Sequence, residues 1–283
     1  MRNGSLIIAA AQTLVSEDLS ANAASIKLVL VDAAQQGARL VNFCEGALSG
    51  YSKAQIKSPE NWASFNWAAQ ERELRSIANL CGELGIYAVV GGAHKLTASL
   101  RPHNSLYVFS DSGSLLTRYD KRFLSNSEIN DWYTPGADPI IFEVDGYRFG
   151  CALCIESQFP EVFMEYERNG VDAVLFGSYG IPEYFQIALR AHAGLNCIWI
   201  SAATPAQEAP NGPAGIVGPD GIWSSRSSEN PISCFSMTVL DRSNPAYDIP
   251  LQKARPWRAR ARLGDIYQEK MVLDARSQNK SSY

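Results

Sequence analysis

Histidine is scarce in this chain: His94, His103 and His192 are the only three in 283 residues. A cysteine-histidine dyad or a histidine-built metal centre therefore has little to draw on, and each histidine reads as an ordinary core or surface side chain. No apolar run approaches the roughly 18 residues that span a bilayer. Residues 6–11 are too short even for the core of a signal peptide, and no small-residue cleavage site follows a basic start. These absences predict a cytoplasmic protein with no membrane partner. Positive charge is not in excess either, since 25 basic against 29 acidic side chains leave a net charge of -4, which argues against nucleic acid as a partner. The one basic cluster, Arg255, Arg258, Arg260 and Arg262 around Trp257, reads as a solvated or inter-subunit surface.

A second CxxC is also missing. Cys151 and Cys154 have that spacing, but without a further pair or nearby histidines they do not make a zinc site. A redox pair normally opens a helix, whereas these two lie in a strand-like run. Cys44, Cys81, Cys197 and Cys234 fall in apolar patterns and read as buried thiols, not as a disulfide framework. No linker rich in Gly, Ser and Pro interrupts the chain, so residues 1–276 are predicted to form one domain with a polar, mobile tail at 277–283. With 46% hydrophobic residues that domain can bury a substantial core.

Strand-like and helix-like patterns alternate along it. Residues 6–11, 39–44 and 86–93 read as strands, set around helices at 21–36, capped by Ser20 or Asp18, and 68–84, stopped by Gly85. Asp111-Ser112-Gly113 and Asp145-Gly146 are hairpin signals. Beyond Cys154, helices at 159–168 and 182–195 alternate with strands at 171–176 and 197–203, and Pro219-Asp220-Gly221 joins the last β segments, which end near Leu240. Such an order predicts an α/β fold of two sheets with amphipathic helices outside.

Three apolar runs end on residues that carry chemistry. Gly150-Cys151-Ala152-Leu153 runs into Cys154, Glu156 follows two places on, and Phe159-Pro160-Glu161 starts a helix. This is the outline of a nucleophile elbow, in which a strand-to-helix turn aims backbone N–H groups at whatever the sulfur attacks. The run at 40–44 stops on Glu45, and the run at 115–120 stops on Lys121. Alone, each would read as a solvated charge. Together, a carboxylate, an ammonium and a thiol at strand ends make an acid-base, oxyanion-binding and nucleophilic set. Side chains alternate along a strand, so if Phe149, Cys151 and Leu153 face the interior then Cys154 faces the mouth of the sheet. Glu45 is then the candidate base, provided that burial raises its pKa or a cation lowers that of the thiol.

The order Glu45, Lys121, Cys154 resembles the nitrilase, or carbon-nitrogen hydrolase, superfamily. The resemblance rests on Phe43-Cys44-Glu45-Gly46-Ala47-Leu48-Ser49-Gly50-Tyr51, on Tyr119-Asp120-Lys121-Arg122-Phe123-Leu124, and on Cys154-Ile155-Glu156 with Phe159-Pro160-Glu161. Asn104-Ser105-Leu106, Tyr133-Thr134-Pro135-Gly136 and the segment 262–267 extend it over nearly the whole chain. Cys44 departs from the family's usual proline, and His192 and Leu195 stand where the family tends to show Arg and Glu.

The resemblance implies a four-layer α-β-β-α sandwich and a cysteine hydrolase of small amides or carbamoyl amines that works through a thioester, with no cofactor and no metal. Glu45 would be the base, Lys121 and the Ile155 N–H would hold the oxyanion, and Glu128 would be a supporting carboxylate. A homodimer or higher homo-oligomer is also implied, with Phe163, Met164 and Tyr166 as an apolar patch. Trp62, Phe65, Trp67, Trp132, Tyr133 and Tyr179 are candidates to line a pocket. The alternatives are an acyltransferase using the same thioester, a nitrilase, or a catalytically idle regulatory or binding member. Members that hydrolyse nitriles usually carry Trp directly after the nucleophile, where this chain has Ile155, so an amide is the expected substrate.

Overall fold

The structure, a computed structural model, describes residues 4–97, 100–281 and 283. Its first sheet is built from β1 (Leu6–Thr13), β2 (Leu40–Asn42), β3 (Tyr87–His94), β4 (His103–Phe109) and β5 (Leu115–Asp120), in the order β5-β4-β3-β2-β1. The second runs through β6 (Ile141–Val144), β7 (Tyr147–Leu153), β8 (Ala173–Gly177), β9 (Trp199–Pro205), β10 (Gly215–Val217) and β11 (Trp223–Arg226). β12 (Cys234–Leu240) returns to the first sheet and pairs antiparallel with β1, Leu6 opposite Leu240. The sheets meet at one corner, where Gln12 of β1 pairs with Thr204 of β9. Asn42 ties them again, its Nδ2 donating to Phe176 O at 3.0 Å and Ser201 O at 2.9 Å.

β1 shows why the sandwich has four layers. Its residues are apolar on both faces: Ile8 and Ala10 join a core between the sheets, while Ala9 and Ala11 join a core under helices. A strand covered on both sides cannot alternate apolar with polar residues. The core between the sheets holds Phe149, Cys151, Leu153, Leu175 and Trp199 of the second sheet against Ile8, Leu40 and Leu106 of the first. Helices α1 (Leu19–Gln35), α2 (Asn61–Ser64) and α3 (Trp67–Leu84) belong to the first half, and Ile26, Leu30, Ile77 and Cys81 cover Val41 and Val90. Helices α4 (Pro160–Arg168) and α5 (Glu183–Asn196) cover the second sheet with Val162, Phe163, Tyr166 and Leu189. The expected α-β-β-α sandwich is therefore the architecture found.

Local signals set the element ends. Asp18, not Ser20, caps α1 by accepting from Ser20 N and Ala21 N, which starts the helix two residues earlier than its apolar pattern. α3 stops at Gly85 in the left-handed region. Asp145 and Gly146, both with positive φ, close the β6–β7 hairpin.

Two expectations need correction. Phe163 and Tyr166 are fully buried, because residues three apart on α4 share the face that packs on β8 and β7, so they offer no patch to a partner; of the three residues expected there only Met164 is half-buried. The basic cluster is only in part a solvated surface: Arg260 and Trp257 are exposed, but its other three arginines are tied to the fold. Arg255 and Arg258, on α6 (Arg255–Leu263), donate to Val171 O and to Gly194 O at the C-terminal end of α5, and Arg262 pairs with the buried Glu167. Guanidinium groups at a helix C-terminus satisfy its last carbonyls and complement its dipole. Two short helices follow, α7 (Asp265–Gln268) and α8 (Ala275–Gln278), so the tail expected at 277–283 begins within helix; Ser282 lies outside the described residues. Among the described residues no helix is long and apolar enough to cross a membrane.

Candidate active site

β7 ends at Leu153, and Cys154 opens a short 3-10 turn, Cys154–Gln158, that leads into α4 through Pro160. Cys154 has φ 48°, in the left-handed region that non-glycine residues avoid. This kink breaks the strand's alternation. Cys151 stays fully buried between the sheets, whereas Cys154 is half-buried just past the strand's end, where the turn and not the strand's alternation sets its direction.

Glu45 follows β2 and Lys121 follows β5, so the first sheet delivers both to the same end of the sandwich. Each is fully buried. The Lys121 ammonium donates to Glu45 Oε1 at 2.9 Å and to Glu128 Oε1 and Oε2 at 2.8 and 2.9 Å. Glu128 is carried by a π-helical turn, Glu128–Trp132, and also accepts from Ser125 N at 2.8 Å. Asn104 Nδ2 donates to Glu45 Oε1 at 2.7 Å, and Tyr179 N donates to Glu45 Oε2 at 3.1 Å. The Tyr51 hydroxyl donates to Glu128 Oε1 at 3.3 Å.

The loops that carry these groups are packed against glycines. A Cβ on Gly91 would lie 2.0 Å from Cys44 O, and one on Gly136 would lie 2.2 Å from Asp120 O. Gly136 N also donates to Lys121 O, and Leu48 N to Gly91 O. Cys44, where the family usually has proline, is fully buried in the core under α1 and α3.

The two carboxylates differ in their electrostatics. Burial pushes Glu45 up, and Lys121 and Asn104 only partly oppose that. Burial also acts on Glu128, but there the Lys121 charge and its hydrogen bonds win, and the pKa falls below the ordinary value. Glu128 is thus the standing counter-ion of Lys121, and Glu45 is the group that takes a proton more readily. Lys121 is held well above its usual pKa: burial disfavours its charge, but Glu45, Cys154 and Glu128 outweigh burial. The Cys154 thiol is pushed up to about 12 by burial and by the Glu45 charge, against the pull of Lys121 and Ser178. At neutral pH the resting sulfur is therefore a thiol, and a base must accept its proton during attack.

Aromatic rings surround this centre. Tyr51 and Tyr179 stack with ring centroids 4.9 Å apart, and the Tyr179 hydroxyl is held by Gln55 Nε2 at 2.7 Å and Gln207 Nε2 at 3.0 Å. Glu45 and Glu128 act on the fully buried Tyr133 as well. Trp62 instead stacks on Trp67, meets Phe65 edge-on and lies tilted against Tyr133, in a cluster with Trp132. The structure thus brings Glu45, Lys121 and Glu128 into direct contact and places Cys154 where their charges reach it. It adds Asn104 and Tyr51, which the sequence showed only as members of matched segments. Among the described residues no group of three or more His, Cys, Asp or Glu could hold a metal ion.

Residues 7–243 match the family Carbon-nitrogen hydrolase, and the chain belongs to that family. It is 24% identical over 277 residues to the chloroplastic omega-amidase of Arabidopsis thaliana, a match covering 91% of this chain and 72% of that protein. Nitrilase homolog 2 of Dictyostelium discoideum is 21% identical over 189 residues, covering 62% of this chain. The chain spans little more than half of that relative, 56% of its length. Among solved structures, the nitrilase-superfamily amidase of Nesterenkonia AN1 is similar with a TM-score of 0.75, covering 94% of this chain and 98% of that one at 20% identity. Another structure of that amidase shows covalent addition of the acetamide moiety of fluoroacetamide at its active-site cysteine.

Proposed function

We propose that this protein is a cysteine-dependent amidase that hydrolyses the carbon-nitrogen bond of a small linear amide or carbamoyl amine through a thioester. One observation carries the reading: a fully buried ammonium shared by two carboxylates, one with a raised pKa, lies beside a thiol held at positive φ at a strand end. Family membership and relatives named as amidases support it.

In the proposed reaction Glu45 takes the Cys154 proton as Sγ attacks the carbonyl carbon. The carbonyl oxygen becomes an oxyanion, held by the Lys121 ammonium and the Ile155 N–H at the start of the 3-10 turn. When the tetrahedral intermediate collapses, the carbon-nitrogen bond breaks and Glu45 returns the proton to the departing amine. Water then loses a proton to Glu45 and attacks the thioester; the carbon-sulfur bond breaks, and the thiolate takes the proton back. One carboxylate serves alternately as base and acid, while Glu128 keeps Lys121 charged and in place.

The test is a panel of small amides, carbamoyl amines and matched nitriles assayed for ammonia release, with mass spectrometry for an acyl group on Cys154. Release from amides, abolished in Cys154→Ala, is expected. An adduct on Cys151, or nitriles turned over faster than their amides, would count against the proposal. The same reading includes self-association, supported by Tyr184, Ile187 and Leu195, which α5 leaves exposed. Light scattering that reported a monomer at micromolar concentration would remove that part alone.

A further inference from the structure

Glu156 is fully buried two residues beyond the nucleophile, and the reaction above gives it no proton to move. Its carboxylate nevertheless accepts four hydrogen bonds. Oε1 takes the Tyr119 hydroxyl at 2.7 Å, Arg122 N at 2.9 Å and Phe123 N at 3.0 Å, while Oε2 takes Leu153 N at 2.7 Å. The first three donors flank Lys121, Tyr119 in β5 and Arg122 and Phe123 in the loop that follows it. The fourth immediately precedes Cys154 in the second sheet. One side chain therefore spans the two segments that carry the oxyanion-binding cation and the nucleophile.

We infer that Glu156 is a positioning residue: it sets the separation of Lys121 from Cys154 and holds the elbow that keeps Cys154 at positive φ. Four donors converge on two oxygens, an arrangement that an ionised carboxylate satisfies because it accepts at both ends. A carboxamide of the same size must turn its NH2 toward either the Leu153 N–H or the three donors beside Lys121, leaving buried donors facing each other. The strained conformation at Cys154 persists only if its surroundings over-determine it, and the Leu153–Glu156 bond closes the turn around that residue. This inference rests on the amidase reading for its meaning, and one arm of its test does not need turnover.

The experiment compares Glu156→Gln with the unmodified chain in kcat, KM and the rate at which fluoroacetamide alkylates Cys154, with kcat expressed per alkylatable site. A role confined to stability would lower the number of active sites and leave each one unchanged. Positioning predicts a kcat per site lower by about 100-fold, KM within about threefold, and slower alkylation, because small displacements of reacting groups cost that much. Values of kcat per site and alkylation rate both within about threefold of the unmodified chain would overturn it, as would a raised KM at unchanged kcat. If Glu156→Gln does not fold, Tyr119→Phe removes one donor and is decisive alone: a several-fold loss of kcat at unchanged KM supports positioning, and an unchanged kcat overturns it. An unmodified chain that alkylates at Cys154 but hydrolyses no amide would sink the amidase reading, with the alkylation rates still reporting on Glu156.

Discussion

Lys121 meets Glu128 through both carboxylate oxygens, at 2.8 and 2.9 Å, but Glu45 through only one, at 2.9 Å. An ammonium has three N–H bonds, and three carboxylate contacts occupy them. To hold an oxyanion as well, Lys121 must exchange one contact. In the proposed reaction the Glu45 contact is the one released, since Glu45 loses its negative charge on taking the thiol proton, at the moment the substrate oxygen gains one.

Glu45→Gln is accordingly expected to lower turnover by about 1,000-fold. It should not cost stability at neutral pH. The folded-state pKa of Glu45 is raised, so its contribution to stability is fully present below the unfolded pKa and is lost as pH rises through the folded one. At pH 7 the charged form is a liability that Gln removes, and that gain is expected to outweigh the clash of the Gln NH2 with the Tyr179 N–H. A melting temperature at or above that of the unmodified chain is the expected result, and a clear drop would show that the Lys121 bond outweighs burial.

The pH profile follows from the same direction. Activity needs Glu45 ionised, so kcat/KM should fall as pH drops through a pKa above the ordinary glutamate value of about 4.3. In Glu128→Gln a like charge that helps raise Glu45 is gone, and the acid limb should move to lower pH. An acid limb in the unmodified chain at or below the ordinary value would contradict the assignment of Glu45 as base.

Strain at the nucleophile is measurable without any substrate. Cys154→Gly and Cys154→Ala both remove the sulfur, but only glycine adopts φ 48° without penalty. The glycine variant should be the more stable by about 1 kcal/mol in denaturant unfolding. If the alanine variant is equally stable, the backbone at 154 is not under strain.

Gly91→Ala tests the packing behind Glu45. Its Cβ would lie 2.0 Å from Cys44 O, which is backbone and cannot swing away. A loss of about 3 kcal/mol is expected from such overpacking. Any folded fraction should show lowered kcat, because the loop that moves carries the base; unaltered stability and rate would mean that the two segments separate freely.

Glu45, Lys121 and Cys154 were legible because each stops a strand-like run in the sequence, and the segments just past strand ends are where a sandwich gathers chemistry. Glu128 and Ile155 came only through the family likeness. Asn104 and Tyr51 could not be singled out from the residues alone: each is one polar group within or beside a strand, and its partner lies 59 or 77 positions away. The layers followed from β1, apolar on both faces, and from the amphipathic helices. The roles of Arg258 and Arg262 did not, because a basic run looks alike whether it faces solvent or caps α5. The patch expected on α4 failed for a related reason: a stripe of Phe163 and Tyr166 shows that a face is buried without showing against what.

Glu45 and Lys121 stand on one sheet and Cys154 on the other, with Asn42 and the Gln12–Thr204 corner holding the two in register. Catalysis in such a molecule is a vernier on its own core. A slip of one sheet across the other by a fraction of a bond length would part sulfur from carboxylate while every strand kept its neighbours. Trimming Leu175 or Trp199, which lie between the sheets, or squeezing the protein with hydrostatic pressure, should therefore dim activity before any spectroscopic sign of unfolding. The rate of the reaction would then gauge core alignment more finely than a melting curve.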